Sequence, residues 1–196
     1  MTPIEVTFAL RDFLETALKD FRIEDEAGNE SPVMVYLFHL PQQAVALMNA
    51  HAEDGYTPLP DAEADEVMKS VYPAVIVRPL TYRAQEVDEM FSFLTVSLTV
   101  GVFSRDPANV NGSWAVVNIL ERIRQALEEK RIFNERCEVV APITWELYNE
   151  ELRPLWFGEM MTQWQIVNPI PTYGLTPDED WQGDGFNFGK GEATDG

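Results

Sequence analysis

The side chains of this 196-residue chain best suited to chemistry are two histidines, one cysteine and a run of carboxylates. His39 and His51 stand in different kinds of segment, one closing an apolar run and the other opening an acidic loop. Neither belongs to an HExxH helix or to a Cys/His pair at zinc spacing, so no metal site is expected. His39 reads as a strand-end side chain, because a general base needs an orienting partner close by. Cys137 has no second cysteine to pair with, and its neighbours Val139 and Val140 place it on a strand as a small buried side chain. The cluster Asp61-Ala-Glu63-Ala-Asp65-Glu66 lacks the central glycine and terminal carboxylate of an EF-hand loop and reads as a solvated charge run. Glu146 and Glu150 have no metal-ligand company. GxxxxGKS, GxGxxG and GxSxG patterns are all missing. These observations together predict no catalytic residues, no cofactor and no enzyme.

What remains are aromatic and apolar side chains, and the elements that carry them. Thr2-Pro3-Ile4-Glu5 has the form of a helix start with a capping box, and Val6, Leu10, Phe13, Leu14, Ala17 and Phe21 continue at helical spacing over residues 3 to 20. Val33 to His39 is apolar at successive positions, which predicts a strand interior to a sheet. The acidic loop occupies residues 51–70, with Gly55, Pro58, Pro60 and all six of its carboxylates in 51–66. Tyr72 to Leu80, bracketed by Pro73 and Pro79, is predicted to pair antiparallel with the strand that follows it. That strand, Glu89 to Ser104, alternates Met90, Leu94, Val96, Leu98, Val100 and Val102 with Phe93, Thr95, Ser97, Thr99 and Phe103. Its extended reach of about 50 Å exceeds an ordinary strand, so part of it is expected to extend beyond the core for assembly. A second helix follows Asn111-Gly112-Ser113, with Val116, Ile119, Leu120, Ile123 and Leu127 on one face. Arg136 to Val140 and Pro142 to Leu147 read as short strands, and Leu155 to Val167 as a last one. On it, Trp156, Met160 and Trp164 are assigned to core or interface rather than to a ligand pocket.

The fold class expected is α+β, with an antiparallel or mixed sheet of about four to six strands packed by two main amphipathic helices. Residues 1–170 form one domain, and 171–196 a Gly-rich acidic tail with little apolar material except Trp181, Phe186 and Phe188, either disordered or docked on a partner or a neighbouring subunit. No apolar run reaches the roughly 18 to 20 residues of a bilayer span, which predicts a protein without membrane contact. The formal charge of −19 disfavours phosphate-backbone binding and suits an acidic surface past which a duplex slides.

The order of these parts resembles the phage tail terminator family over residues 3 to 170. The likeness is carried by Tyr72-Pro-Ala-Val-Ile-Val-Arg-Pro, the long strand ending Gly101-Val-Phe-Ser-Arg-Asp, the helix with NILERIRQALEEK and the strand LWFGEMMTQWQIV. The resemblance implies a hexameric homo-oligomeric ring that caps the tail tube and faces the head-side connector, with DNA passing through unbound. It implies a virion location in the tail or neck, with assembly in the host cytoplasm, and no chemistry. The acidic loop and the tail depart from the family's shorter members. Candidate assembly residues are Phe91, Phe93, Thr95 and Ser97 on the long strand, Trp156 and Trp164 on the last strand, and Trp181, Phe186 and Phe188 in the tail. Another neck or tail-completion protein, or an acidic binding module that mimics nucleic acid, remain the alternative readings.

Overall fold

A computed structural model describes residues 1–24, 28–42, 62–84, 90–105, 111–148 and 154–168. Helix α1 (Pro3–Ala17) begins as its sequence dictates: the Thr2 hydroxyl accepts from the Glu5 amide at 3.3 Å, and the Glu5 carboxylate accepts from the Thr2 amide at 2.7 Å. These bonds satisfy two amides that the helix cannot satisfy itself. Three more short or edge elements follow, β1 (Arg22–Glu24), β2 (Glu30–Pro32) and β3 (Met34–Leu37). They lead through α2 (Ala62–Val71) to β4 (Ala74–Arg83), β5 (Phe91–Phe103), α3 (Asn111–Lys130), β6 (Ile132–Phe133), β7 (Cys137–Leu147) and β8 (Leu155–Val167). Strands β1 and β2 pair with each other; the other strands form one six-stranded sheet in the order β3-β4-β5-β8-β7-β6. The fold is α+β, with a mixed sheet.

One face of the sheet carries the main core. Leu94, Val96, Leu98, Val100 and Val102 of β5 and Met160, Trp164 and Ile166 of β8 pack with Val6, Leu10 and Leu14 of α1 and Val116, Ile119, Leu120, Ile123 and Leu127 of α3. A smaller apolar cluster sits on the opposite face, where Met68 and Val71 of α2, with Tyr72, meet Ala74, Leu155, Tyr36, Phe103 and Phe157. The chain therefore has one broad helical layer and a short second one at one end of the sheet.

Several expectations change at this point. Strand β3 is the end strand of the sheet, not an interior one, and pairs parallel with β4. Its apolar character on both faces has another source: Val35 and Leu37 pack on the main core while Tyr36 packs on the second cluster. The parallel pairing needs a crossover, and α2 lies within it. The acidic stretch assigned to a loop as far as residue 70 ends in that helix, α2, from Ala62. Alanine, glutamate and methionine are good helix formers, carboxylates in a first turn suit the helix dipole, and Met68 and Val71 suffice to anchor it. Residues 51–61 of the acidic loop lie outside the described residues, as do residues 25–27.

Strand β4 runs past Pro79 to Arg83. Strand β3 pairs with it only over Ala74–Val77, so by Pro79 no described strand on that side needs the missing amide, and the register with β5 shifts there. Residues 137–147 form one strand, β7, with an irregularity between Val140 and Thr144 where Pro142 falls, instead of two short strands. Strand β5 does not project from the core: all of Phe91–Phe103 pairs with β8, a partner of equal length. Its length reflects a long central hairpin-like pair rather than an extension for assembly.

Candidate assembly surface

The register of β5 and β8 sorts the candidate residues by face. Antiparallel partners include Phe91 with Val167, Thr95 with Gln163 and Phe103 with Leu155, so odd residues face odd ones and even face even ones. Phe91, Phe93 and Thr95 share the face away from α1 and α3 and are half-buried. Cross-strand neighbours are Gln163 and Gln165 of β8 and Thr81 and Arg83 of β4. Val140 of β7 extends the row beside Gln163. Among the described residues this face is covered by α2 at one end only.

Trp156 and Trp164, the candidates on the last strand, lie on the other face from Phe91, Phe93 and Thr95. Trp164 is fully buried; its indole N–H donates to the Thr162 hydroxyl at 2.9 Å, and its ring meets that of Phe133 at 5.0 Å. A side chain sealed this way holds the core and offers nothing to a partner. Trp156 is half-buried beside the N-terminal turn of α3, its N–H directed at the Ser104 carbonyl at 3.4 Å. Gly112 is what allows that approach, because a Cβ there would sit 2.2 Å from the indole. Ser97 is on the Phe93 face but only 1% exposed. Its hydroxyl donates to a Glu159 carboxylate oxygen, which removes it from the set of free contact residues. Trp181, Phe186 and Phe188 lie outside the described residues.

A polar cluster borders this surface. The second carboxylate oxygen of Glu159 accepts from the Tyr148 hydroxyl at 3.3 Å, and Glu146 stands directly opposite Glu159 in the register. Partial burial, and then the nearby Glu159 charge, hold the Tyr148 phenol above its ordinary pKa. Arg78 donates to the Phe38 carbonyl at 3.3 Å. His39 is exposed at the end of β3, and Cys137 is buried, its thiol pushed up to about 12 by loss of hydration. Among the described residues no group of three or more His, Cys, Asp or Glu side chains is placed to hold a metal ion. No helix of the described residues is long and apolar enough to cross a membrane.

Sequence parity separates the tryptophans from the phenylalanines only together with the register, which the paired structure supplies. It also adds residues that the sequence reading missed: Met161, Gln163 and Gln165 of β8 share the face of Phe93. The charge is unevenly placed as well. The described residues hold sixteen of the 33 acidic and twelve of the 14 basic side chains, a formal −4, and the remaining segments hold the other −15. The chain's strong acidity therefore belongs mainly to the residues outside the described ones. No protein-family model matches the chain, and no curated protein matches it in sequence.

Proposed function

We propose that this protein is a structural assembly component of the phage tail terminator kind: subunits join in a ring, six by the family resemblance, that caps a tail tube and meets a head-side connector. The observation that carries the reading is the pair β5–β8. Thirteen residues of each strand run side by side through the middle of the sheet. Helices cover one face, while the other presents Phe93, Thr95, Met161, Gln163 and Gln165 in a regular array. Rows of aromatic, threonine and glutamine side chains suit protein contact better than catalysis. The succession of α1, β4, β5, α3 and β8 also follows the order of parts on which the resemblance rests.

The placement of charge bears on the competing readings. An inhibitor that imitates nucleic acid needs carboxylates held in a fixed array, and the packed elements carry acids and bases in near balance. A ring whose lumen is lined by acidic connecting segments would pass DNA without holding it. Light scattering across a concentration series, with and without tail-tube protein, tests the proposal, followed by negative-stain imaging. Rings of about six copies, alone or on tube ends, are expected. A species that stays monomeric and ignores tube protein at every concentration would sink it.

A further inference from the structure

The six-stranded sheet ends in two edges that are stepped in opposite senses. On one side β3 covers β4 only over Ala74–Val77, leaving residues 78–83 without a neighbouring strand there among the described residues. On the other side β6 covers β7 only at Cys137 and Glu138, leaving residues 140–147 in the same state. Following the registers across the sheet, Met34, Ala74, Gly101, Phe157 and Tyr148 stand on one level, and Leu37, Val77, Leu98, Met160 and Trp145 on another. Ile132, Glu138, Gln165, Phe93 and Arg83 share a third. Strand β3 therefore projects on the levels where β7 is open, and β6 projects where β4 is open. Each edge is cut back where the other stands out.

The backbone and side chains match on the same levels. The Met34 and Phe38 amides donate to the Pro73 and Val77 carbonyls at 2.9 and 3.0 Å, so by alternation the Val35 and Leu37 amides point away from β4. The Tyr148 amide donates to the Phe157 carbonyl at 3.1 Å, so the Trp145 and Leu147 amides point away from β8. Val35 is level with Leu147, and Leu37 with Trp145; all four side chains are half-buried and pack on the helical-side core. Strand β3 carries no charge and residues 145–148 only Glu146, so no like charges meet. Six of the eleven exposed large apolar side chains among the described residues stand on or beside these edges: Met34, Phe38, Leu80, Tyr82, Ile132 and Tyr148. Proline at a sheet edge commonly blocks pairing. Here Pro79 is level with Val96, and Pro142 falls between Val140 and Thr144, which are level with Thr95 and Ser97. Both stand on the one level that neither β3 nor β6 reaches.

We propose that the partner of these edges is a second copy of this chain: β3 of one copy pairs antiparallel with residues 145–148 of the next, through Val35 with Leu147 and Leu37 with Trp145. Strands β4, β5, β8 and β7 alternate in direction, so a copy set alongside in the same orientation brings its β3 antiparallel to β7 without stagger. The β6 strand of the one copy then lies beside Tyr82 and Arg83 of the other. Such a contact is head to tail, the kind that closes into a ring, and the inference rests on that reading. Two bonded pairs make a short seam, so it adds to the β5–β8 array rather than replacing it.

The test uses the full-length chain and two readouts. Tyr36 of one copy stands opposite Glu146 of the next as a non-bonded pair, with Cα atoms about 4.5 Å apart and within disulfide reach. Within one chain four strand spacings, about 19 Å, separate them. Y36C mixed with E146C under mild oxidation should give linked pairs, whereas Y36C mixed with E138C, at the level β6 covers, should not. Amide exchange of the parent protein across a concentration series needs no substitution: the Val35, Leu37, Trp145 and Leu147 amides should exchange freely in the monomer and slow by about tenfold or more on assembly. Rings that form while these amides stay open and the cysteines stay unlinked overturn the edge pairing and leave the ring reading standing. Amides already protected in the monomer also overturn it, because the chain then covers its own edges. No association at any concentration, with or without tail-tube protein, overturns both.

Discussion

Gly112 and Trp156 show how one small residue fixes the entry of a helix. Glycine inside a helix usually costs about 1 kcal/mol relative to alanine, so Gly112→Ala would ordinarily stabilise. Here the added Cβ would lie 2.2 Å from the Trp156 ring, and the ring would have to leave its place over the first turn of α3. G112A is therefore expected to lower stability by about 1–3 kcal/mol, read by denaturant unfolding with Trp fluorescence as the probe. Cys137 and Tyr72 set the alkaline limit at the same scale. Burial raises both pKa values above their unfolded ones. The folded state therefore holds protons that the unfolded chain releases, and stability falls as pH rises from about 9, the ordinary thiol value, towards 12, the folded one. Two readouts check this: Cys137 should resist thiol reagents at pH 8 until denaturant is added, and the tyrosinate absorbance of Tyr72 should appear only above the ordinary tyrosine range unless the protein is unfolded.

At the scale of elements, period and capping carried most of the information. The Thr2–Glu5 box marked the start of α1, and the alternation from Leu94 to Val102 and from Trp156 to Ile166 marked two long strands that the structure keeps nearly to the residue. The errors have a common physical origin. Apolar runs and acidic runs report burial and solvation, not position in a sheet or backbone conformation. Val35 and Leu37 are covered by the helical layer and Tyr36 by the second cluster, so β3 resembles an interior strand while standing at the end of the sheet. Carboxylates at the start of α2 resemble a loop although they suit a helix N-terminus. The candidate surface was half legible: alternation alone put Phe91, Phe93 and Thr95 on one face of β5, but Trp164 was named with them because its burial against Phe133 depends on a contact distant in sequence. Trp164→Ala should accordingly cost about 3–5 kcal/mol of stability, seen as a lowered denaturation midpoint at unchanged quaternary state.

For the whole molecule, stability and association are expected to separate by face. The core lies between the helical layer and the even-numbered positions of β5 and β8, whereas the odd-numbered positions look away from it. A change confined to the latter can alter how copies meet without emptying the core. Thr95 and Gln163 are direct partners at the middle of that face, half-buried and exposed respectively, and neither belongs to the core. Placing arginine at both, T95R with Q163R, puts two like charges side by side where a partner must approach, a repulsion that costs several kcal/mol across a packed interface. The monomer escapes most of that cost, because on an open face the guanidinium groups splay into water and an exposed pair interacts weakly. The expected outcome is a melting temperature close to the parent's and loss of both the ring and tube-end binding. If T95R/Q163R still assembles like the parent while remaining folded, the β5–β8 array is not the surface on which subunits join, and contacts must be sought on the helical face instead.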